Sequence, residues 1–338
     1  MNVSDIGFYI AMYYGLAFFI LVGAELAYFR LAYRLNIIDK PNQRSSHSRI
    51  TLRGGGILFY FAVLLYFVSI GWQYPWFFAA LSLIAAISFA DDIRPQKAKL
   101  RLVIHFMAML MLFYQWDLFE LPWYFTLLAL IACTGILNAF NFMDGINGIT
   151  GGYSTVVLAS LWYINTFQFA FVDNQLIYLV AIALTIYNFF NFRTKAKCFA
   201  GDVGAVSIAF VIIFLLGMLI IRTGDFSYLI LLAVYGIDSL LTIFHRLLLR
   251  ENIFEAHRKH AYQIMANELE VPHVGVSAFY MVMQVLVSAG FLTAHPYFHW
   301  FYIGIVLLLL TGFYVFFMKK FFRLHLYKEV VLQNNIHD

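Results

Sequence analysis

Apolar residues in this chain come in long blocks, not in the alternating or every-third-residue patterns of half-buried elements. Runs long enough, or nearly so, to cross a bilayer lie at about 7–29, 55–71, 76–90, 100–116, 122–140, 152–171, 175–190, 204–221, 227–243, 275–293 and 300–318. The pattern predicts an all-α, polytopic integral membrane protein with about eleven transmembrane helices. Connections are mostly short, so a single helical domain over 1–338 is expected. Its longer polar segments fall at about 30–54, 91–99, 141–151, 191–203 and 244–273. Composition agrees, with 63% hydrophobic and only 12% charged residues.

Basic residues order these segments by side. Arg30, Arg34, Lys40, Arg44, Arg49 and Arg53 fall in the first polar loop, and Arg94, Lys97, Lys99 and Arg101 follow the third run. Further basic groups follow the seventh, ninth and eleventh runs, leaving Arg222 alone on the other side. Lys and Arg near span ends favour the cytoplasm, so the polar segments are expected inside, with the amino terminus outside and the carboxyl terminus cytoplasmic. The start carries Asp5 and no basic residue before its first run, unlike a secretory signal peptide. Cys133 in a span and Cys198 in a cytoplasmic loop imply no disulfide framework.

Topology explains the cations but not the acids, which add little to orientation and are costly beside hydrocarbon. Asp91, Asp92, Asp144, Asp202 and Asp238 nevertheless gather at the inner ends of spans. In "NAFNFMDGINGITGG", Asn138, Asn141, Asp144 and Asn147 recur every third residue among glycines that let a backbone approach a ligand. A helix C-cap with a turn is the bland alternative. In "KCFAGDVGAVSIAF", Asp202 between Gly201 and Gly204 suits Mg²⁺, which takes one or two carboxylates plus substrate phosphates; an N-cap is the other reading. "EAHRKHAYQ" sets His257, Arg258 and His260 as phosphate contacts, with too few ligands for zinc. Arg49 in the first loop, and Lys97 and Lys99 beside the acid pair, are further phosphate-binding candidates.

Taken together, these segments resemble the polyprenyl-phosphate N-acetylhexosamine-1-phosphate transferase superfamily. Asp91-Asp92 is similar to its Asp-Asp motif, Asn138, Asn141, Asp144 and Gly145 to its N-x-x-N-x-x-D-G motif, Phe199, Gly201, Asp202 and Gly204 to F-x-G-D-x-G, and His257 and His260 to its histidine loop. The resemblance implies a transfer of N-acetylhexosamine-1-phosphate from a UDP-sugar to undecaprenyl phosphate, releasing UMP, at the cytoplasmic face of a bacterial inner membrane. It implies Mg²⁺, or Mn²⁺ in its place, on Asp202, with Asp91 as base for the lipid phosphate and Asp92, Asp144, His257 and His260 in the catalytic set. Asn147 stands where relatives carry an Asp that contacts uracil, and it is expected to bond the uracil edge with Phe199 available for stacking.

The histidine loop and the eleventh span make the chain more similar to the polysaccharide-initiating branch than to the phospho-MurNAc-pentapeptide translocases. Membrane lipid is an expected partner, nucleic acid is not, and a homodimer is left open. A transporter or flippase would also use membrane-embedded charge. Transporters place their sites near the bilayer midplane, whereas these motifs sit at one surface.

Overall fold

The computed structural model describes residues 3–39, 50–253 and 257–334. Its helices are α1 (Val3–Arg34), α2 (Leu58–Ile70), α3 (Pro75–Ile93), α4 (Ala98–Gln115), α5 (Trp123–Met143), α6 (Ile149–Tyr163), α7 (Asn174–Asn191), α8 (Gly201–Thr223), α9 (Ala233–Leu248), α10 (Ala261–Asn267), α11 (His273–Thr293) and α12 (His299–Asn334). Two short strands, β1 (Ile38–Asp39) and β2 (Thr51–Leu52), pair antiparallel after α1.

Each apolar run of the sequence falls on a helical segment, because a backbone surrounded by apolar side chains meets its hydrogen-bonding needs most simply within one helix. Eight segments among the described residues are long and apolar enough to cross a membrane. The other three runs differ. The one ending in α2 forms the shorter helical stretch Gly55–Ile70. The one on α6 gives a 15-residue helix that continues as a π turn over Ile164–Gln168. The one on α7 carries Asn174, Gln175, Asn188 and Asn191.

Helix α8 is the centre of the bundle. Its residues from Val203 to Leu216 are buried without a break, which a helix apolar all round requires. It packs against α2, α3, α5 and α6. Its first turn meets the Gly54–Gly56 segment so closely that Gly56 and Gly204 touch through their backbones. Gly201, at φ +70°, has no room for a side chain: a Cβ there would lie 2.7 Å from the Gly54 nitrogen and 2.5 Å from a carboxylate oxygen of Asp92. The spacing of glycines in both stretches thus sets how near the first loop comes to α8.

Helix α10 is short and lies outside the long segments. It is tied down by Ala261 and Ile264, which pack with Tyr314, Phe317, Met318 and Phe322 of α12.

Candidate active site

The acid pair ends α3, and its two members face different surroundings. Asp92 is buried. Its Oδ1 accepts the Asp202 N–H at 2.9 Å and its Oδ2 the Val203 N–H at 3.0 Å, so it caps the first turn of α8. Arg53 Nε donates to the same carboxylate at 2.6 Å. Arg53 is held in turn by Tyr28, whose hydroxyl donates to its carbonyl oxygen at 2.5 Å. Asp91 is less enclosed: it accepts the Gln96 N–H at 2.6 Å and Arg101 Nη1 at 2.9 Å.

Asp202 stands opposite. Its Oδ1 lies 3.2 Å from Arg53 Nη2 and its Oδ2 3.6 Å from Arg101 Nη2. Two guanidinium groups therefore bridge three carboxylates, drawn from β2's following loop, α3, α4 and α8. Arg53 and Arg101 looked like topology signals in the sequence. Lys97 and Lys99, which looked closer to the acids, are exposed, and neither forms an ion pair with them among the described residues. Arg49 lies outside the described residues.

The Asn138–Gly152 stretch joins α5 to α6 at the same end of the bundle. Asn138 and Asn141 occupy the last turns of α5, and Asp144 follows as its C-cap. Thr150 Oγ1 donates to Asp144 Oδ1 at 2.6 Å. Burial pushes the Asp144 carboxyl up to about 6, with the hydroxyl of Thr150 opposing and the nearby negative charge of Asp92 adding to the rise. Asp144 is thus within electrostatic reach of Asp92 and Arg53 across the site.

Asn147, expected at the uracil edge, is engaged by the protein itself through its amide donor. It is buried, its Nδ2 donates to the Arg193 carbonyl at 2.9 Å and the Thr194 carbonyl at 3.3 Å, and Ser277 Oγ donates to its own carbonyl at 2.8 Å. The amide donor expected at the uracil edge is spent on clamping the loop after α7. Phe199 is half-buried, and its backbone is fixed on both sides: its N–H donates to Leu52 O at 2.8 Å and its carbonyl accepts from Gly55 at 2.9 Å.

In the histidine loop, His260 is 1% exposed, which removes it from the surface on which a phosphate contact was expected. It caps α10 through a reciprocal pair with Gln263, and its Nδ1 lies 3.4 Å from Asp238 Oδ1. Asp238 also accepts the Ala261 N–H at 3.0 Å and the Tyr280 hydroxyl at 2.6 Å. His257 is half-buried and stacks on His260 with ring centres 5.0 Å apart. Burial, with Arg246, Lys259 and the second histidine nearby, lowers His257 to about 3, so it is a neutral ring at physiological pH. Arg258 is half-buried beside it. Tyr262 joins this loop to the Asn-rich stretch, donating from its hydroxyl to the Phe142 carbonyl at 2.9 Å.

Comparison with known proteins gives a likeness to one family of transferases. Residues 74–220 match the family described as Glycosyl transferase family 4. The chain is 25% identical over 255 residues to the "Probable undecaprenyl-phosphate N-acetylglucosaminyl 1-phosphate transferase" of Bacillus subtilis, covering 69% of this chain and 70% of that protein. It is 24% identical over 313 residues to the "Undecaprenyl-phosphate alpha-N-acetylglucosaminyl 1-phosphate transferase" of Escherichia coli K12, covering 84% of each. Over the central stretch 74–220 the chain is similar to glycosyl transferase family 4.

Whether this site suits a divalent cation turns on the donor set. Among the described residues no three His, Cys, Asp or Glu side chains cluster as a ready-made cage. Mg²⁺ does not need one, since it keeps waters and completes its shell with substrate phosphate. Asp91 and Asp202 offer hard oxygen donors from two elements, partly open to solvent and joined through Arg101. That set fits Mg²⁺. Asp92 contributes less, because its oxygens already serve backbone N–H groups and Arg53.

Proposed function

We propose that this protein is a member of glycosyl transferase family 4 and transfers N-acetylglucosamine-1-phosphate, or the phosphate of a related N-acetylhexosamine, from its UDP conjugate to undecaprenyl phosphate. A phosphate oxygen of the lipid attacks the sugar-bearing phosphorus, the bond between the two phosphorus atoms through oxygen breaks, and UMP leaves. One observation carries the reading: Asp91, Asp202 and Arg101 converge from three separate elements into a face of hard donors and cation. The names of the relatives support the acceptor and the sugar.

Asp202 would hold Mg²⁺ with Asp91 beside it, and the cation would neutralise charge building on the diphosphate. Asp91 also takes the proton from a protonated lipid phosphate. Arg53 keeps Asp202 in place through its hold on Asp92. Asp144, in no ion pair among the described residues, supplies a carboxylate at neutral pH on the neighbouring wall. Neutral His257 offers ring nitrogens for hydrogen bonding to substrate, while buried His260 positions it by stacking.

Eleven spans, an outer amino terminus and an inner carboxyl terminus complete the proposal, with the site at the cytoplasmic face of a bacterial inner membrane. A reporter fused after Lys328 then reads cytoplasmic and one in the loop at Asp225 reads external; both on one side would sink that topology. Activity is tested with purified protein, undecaprenyl phosphate, Mg²⁺ and a panel of UDP-N-acetylhexosamines. UMP release that depends on the lipid supports the transfer, and no release with any sugar overturns it.

A further inference from the structure

The two arginines of the acid face are held in different ways. Arg53 is built in: its Nε meets a carboxylate with no side-chain exposure, and Tyr28 fixes its backbone oxygen. Arg101 has no such anchor. Among the described residues its ion-pair partners are Asp91 and Asp202 alone, at 2.9 and 3.6 Å, and its side chain keeps 30% of its surface in solvent. Those two carboxylates are also the donors that suit a divalent cation.

Carboxylates converging like this repel one another unless positive charge lies between them. Arg101 supplies that charge between Asp91 and Asp202, with Arg53 on the other oxygen of Asp202. A divalent cation on the same oxygens would take over that role and meet repulsion from the guanidinium. The side chain would then be free beside the anionic diphosphate that a phosphoryl-transfer site binds next to its metal. Guanidinium is suited to that second partner, because its planar fork matches phosphate oxygens bidentately as well as carboxylate.

We infer that Arg101 is an exchangeable cation: it occupies Asp91 and Asp202 before a divalent cation binds, then turns to the phosphates of the nucleotide donor. This rests on the proposed metal site. It gives Arg101 two effects of opposite sign, opposing the cation and favouring the nucleotide. A residue that only supported the fold would weaken both.

The test uses the full chain purified in detergent, with Mn²⁺ alone as the first probe, its free concentration followed by electron paramagnetic resonance. UDP binding at saturating Mn²⁺ is the second. Removing a competing charge a few ångströms from the ligating oxygens should make Arg101→Ala bind Mn²⁺ about tenfold more tightly, and losing a bidentate phosphate contact should weaken UDP by about tenfold. Arg101→Lys keeps the charge but not the fork and moves both affinities less far in the same directions. It carries the measurement if Arg101→Ala fails to fold. Equal or weaker Mn²⁺ binding by the arginine variants overturns the inference, as does unchanged UDP binding. Asp202→Asn separates the two levels: if it binds Mn²⁺ as the wild type does, the metal site itself has failed and the inference with it. If Asp202→Asn loses Mn²⁺ while the arginine variants match the wild type, only the role of Arg101 falls.

Discussion

The acid face and the histidine loop solve one problem in different ways. Each has a buried aspartate that receives backbone N–H groups at the start of a helix: Asp92 at α8 and Asp238 at α10. Each sets a more accessible partner beside it, Asp91 in the first case and His257, through His260, in the second. The acid face balances its buried charge with Arg53, a permanent cation. The histidine loop relies on the hydroxyls of Tyr280 and Thr242 and on an imidazole. In both, one member of a motif holds architecture while its neighbour stays more open to solvent. Adjacent residues in a motif therefore need not share a task.

The division can be broken most forcefully at Asp92. Asp92→Ala removes the cap of α8 and strands Arg53, at a cost of about 3 to 5 kcal/mol, the range for breaking a buried ion pair. Unfolding of the purified protein in a denaturing detergent series should show it, and a variant as stable as the wild type would place Asp92 with the chemistry. Asp202→Asn should give the converse, a loss of turnover of at least about a hundredfold with little change in unfolding. Near-normal turnover at low Mg²⁺ would hand the ligand role to another residue.

A finer test is the pH response of Asp144. Burial raises its carboxyl to about 6 from the ordinary 3.8, so folding favours the protonated acid. Its contribution to stability is full at low pH and is lost as pH rises through about 6. If its carboxylate serves catalysis, activity moves the opposite way, falling as pH drops through the same region. Asp144→Asn should remove both slopes, and a wild-type acid limb that survives in the variant would belong to another group. The smallest effect is expected at Asn147. As a clamp, Asn147→Ala should cost about 1 kcal/mol of stability and leave the Michaelis constant for the UDP-sugar nearly unchanged. A selective rise in that constant would return the residue to the nucleotide pocket.

The helices and the four polar stretches were legible in the sequence because both signals are local. An apolar run demands an internally bonded helix, and an acid beside hydrocarbon needs a reason to be there. The division of labour was not legible. Asp91 and Asp92 are chemically identical neighbours, and only the packing of α8 against α3 tells which one faces its N–H groups. Arg53 and Arg101 read as orientation signals because any inner loop has such residues, and their partners lie up to 149 positions away. Lys97 and Lys99 drew attention by proximity in sequence, while the turn into α4 left them exposed and brought Arg101 inward. Asn147 carried the right groups for a nucleotide, and the loop after α7 engaged its amide donor.

Leu52 pairs with Cys198 as a parallel bridge, and Gly55 and Gly56 donate to the carbonyls of Phe199 and Ala200 at 2.9 and 3.1 Å. A ribosome making this chain therefore leaves the loop after α1 without its partner until α8 emerges, roughly 150 residues later. Asp238 in turn waits 42 residues for Tyr280 on α11. The guanidinium groups of Arg53 and Arg101 are made close to the acid pair in time, but Asp92 waits 110 residues for the N–H groups of α8. The acid face is complete only once Asp202 and Val203 have been inserted, so no fragment that ends before α8 can carry it.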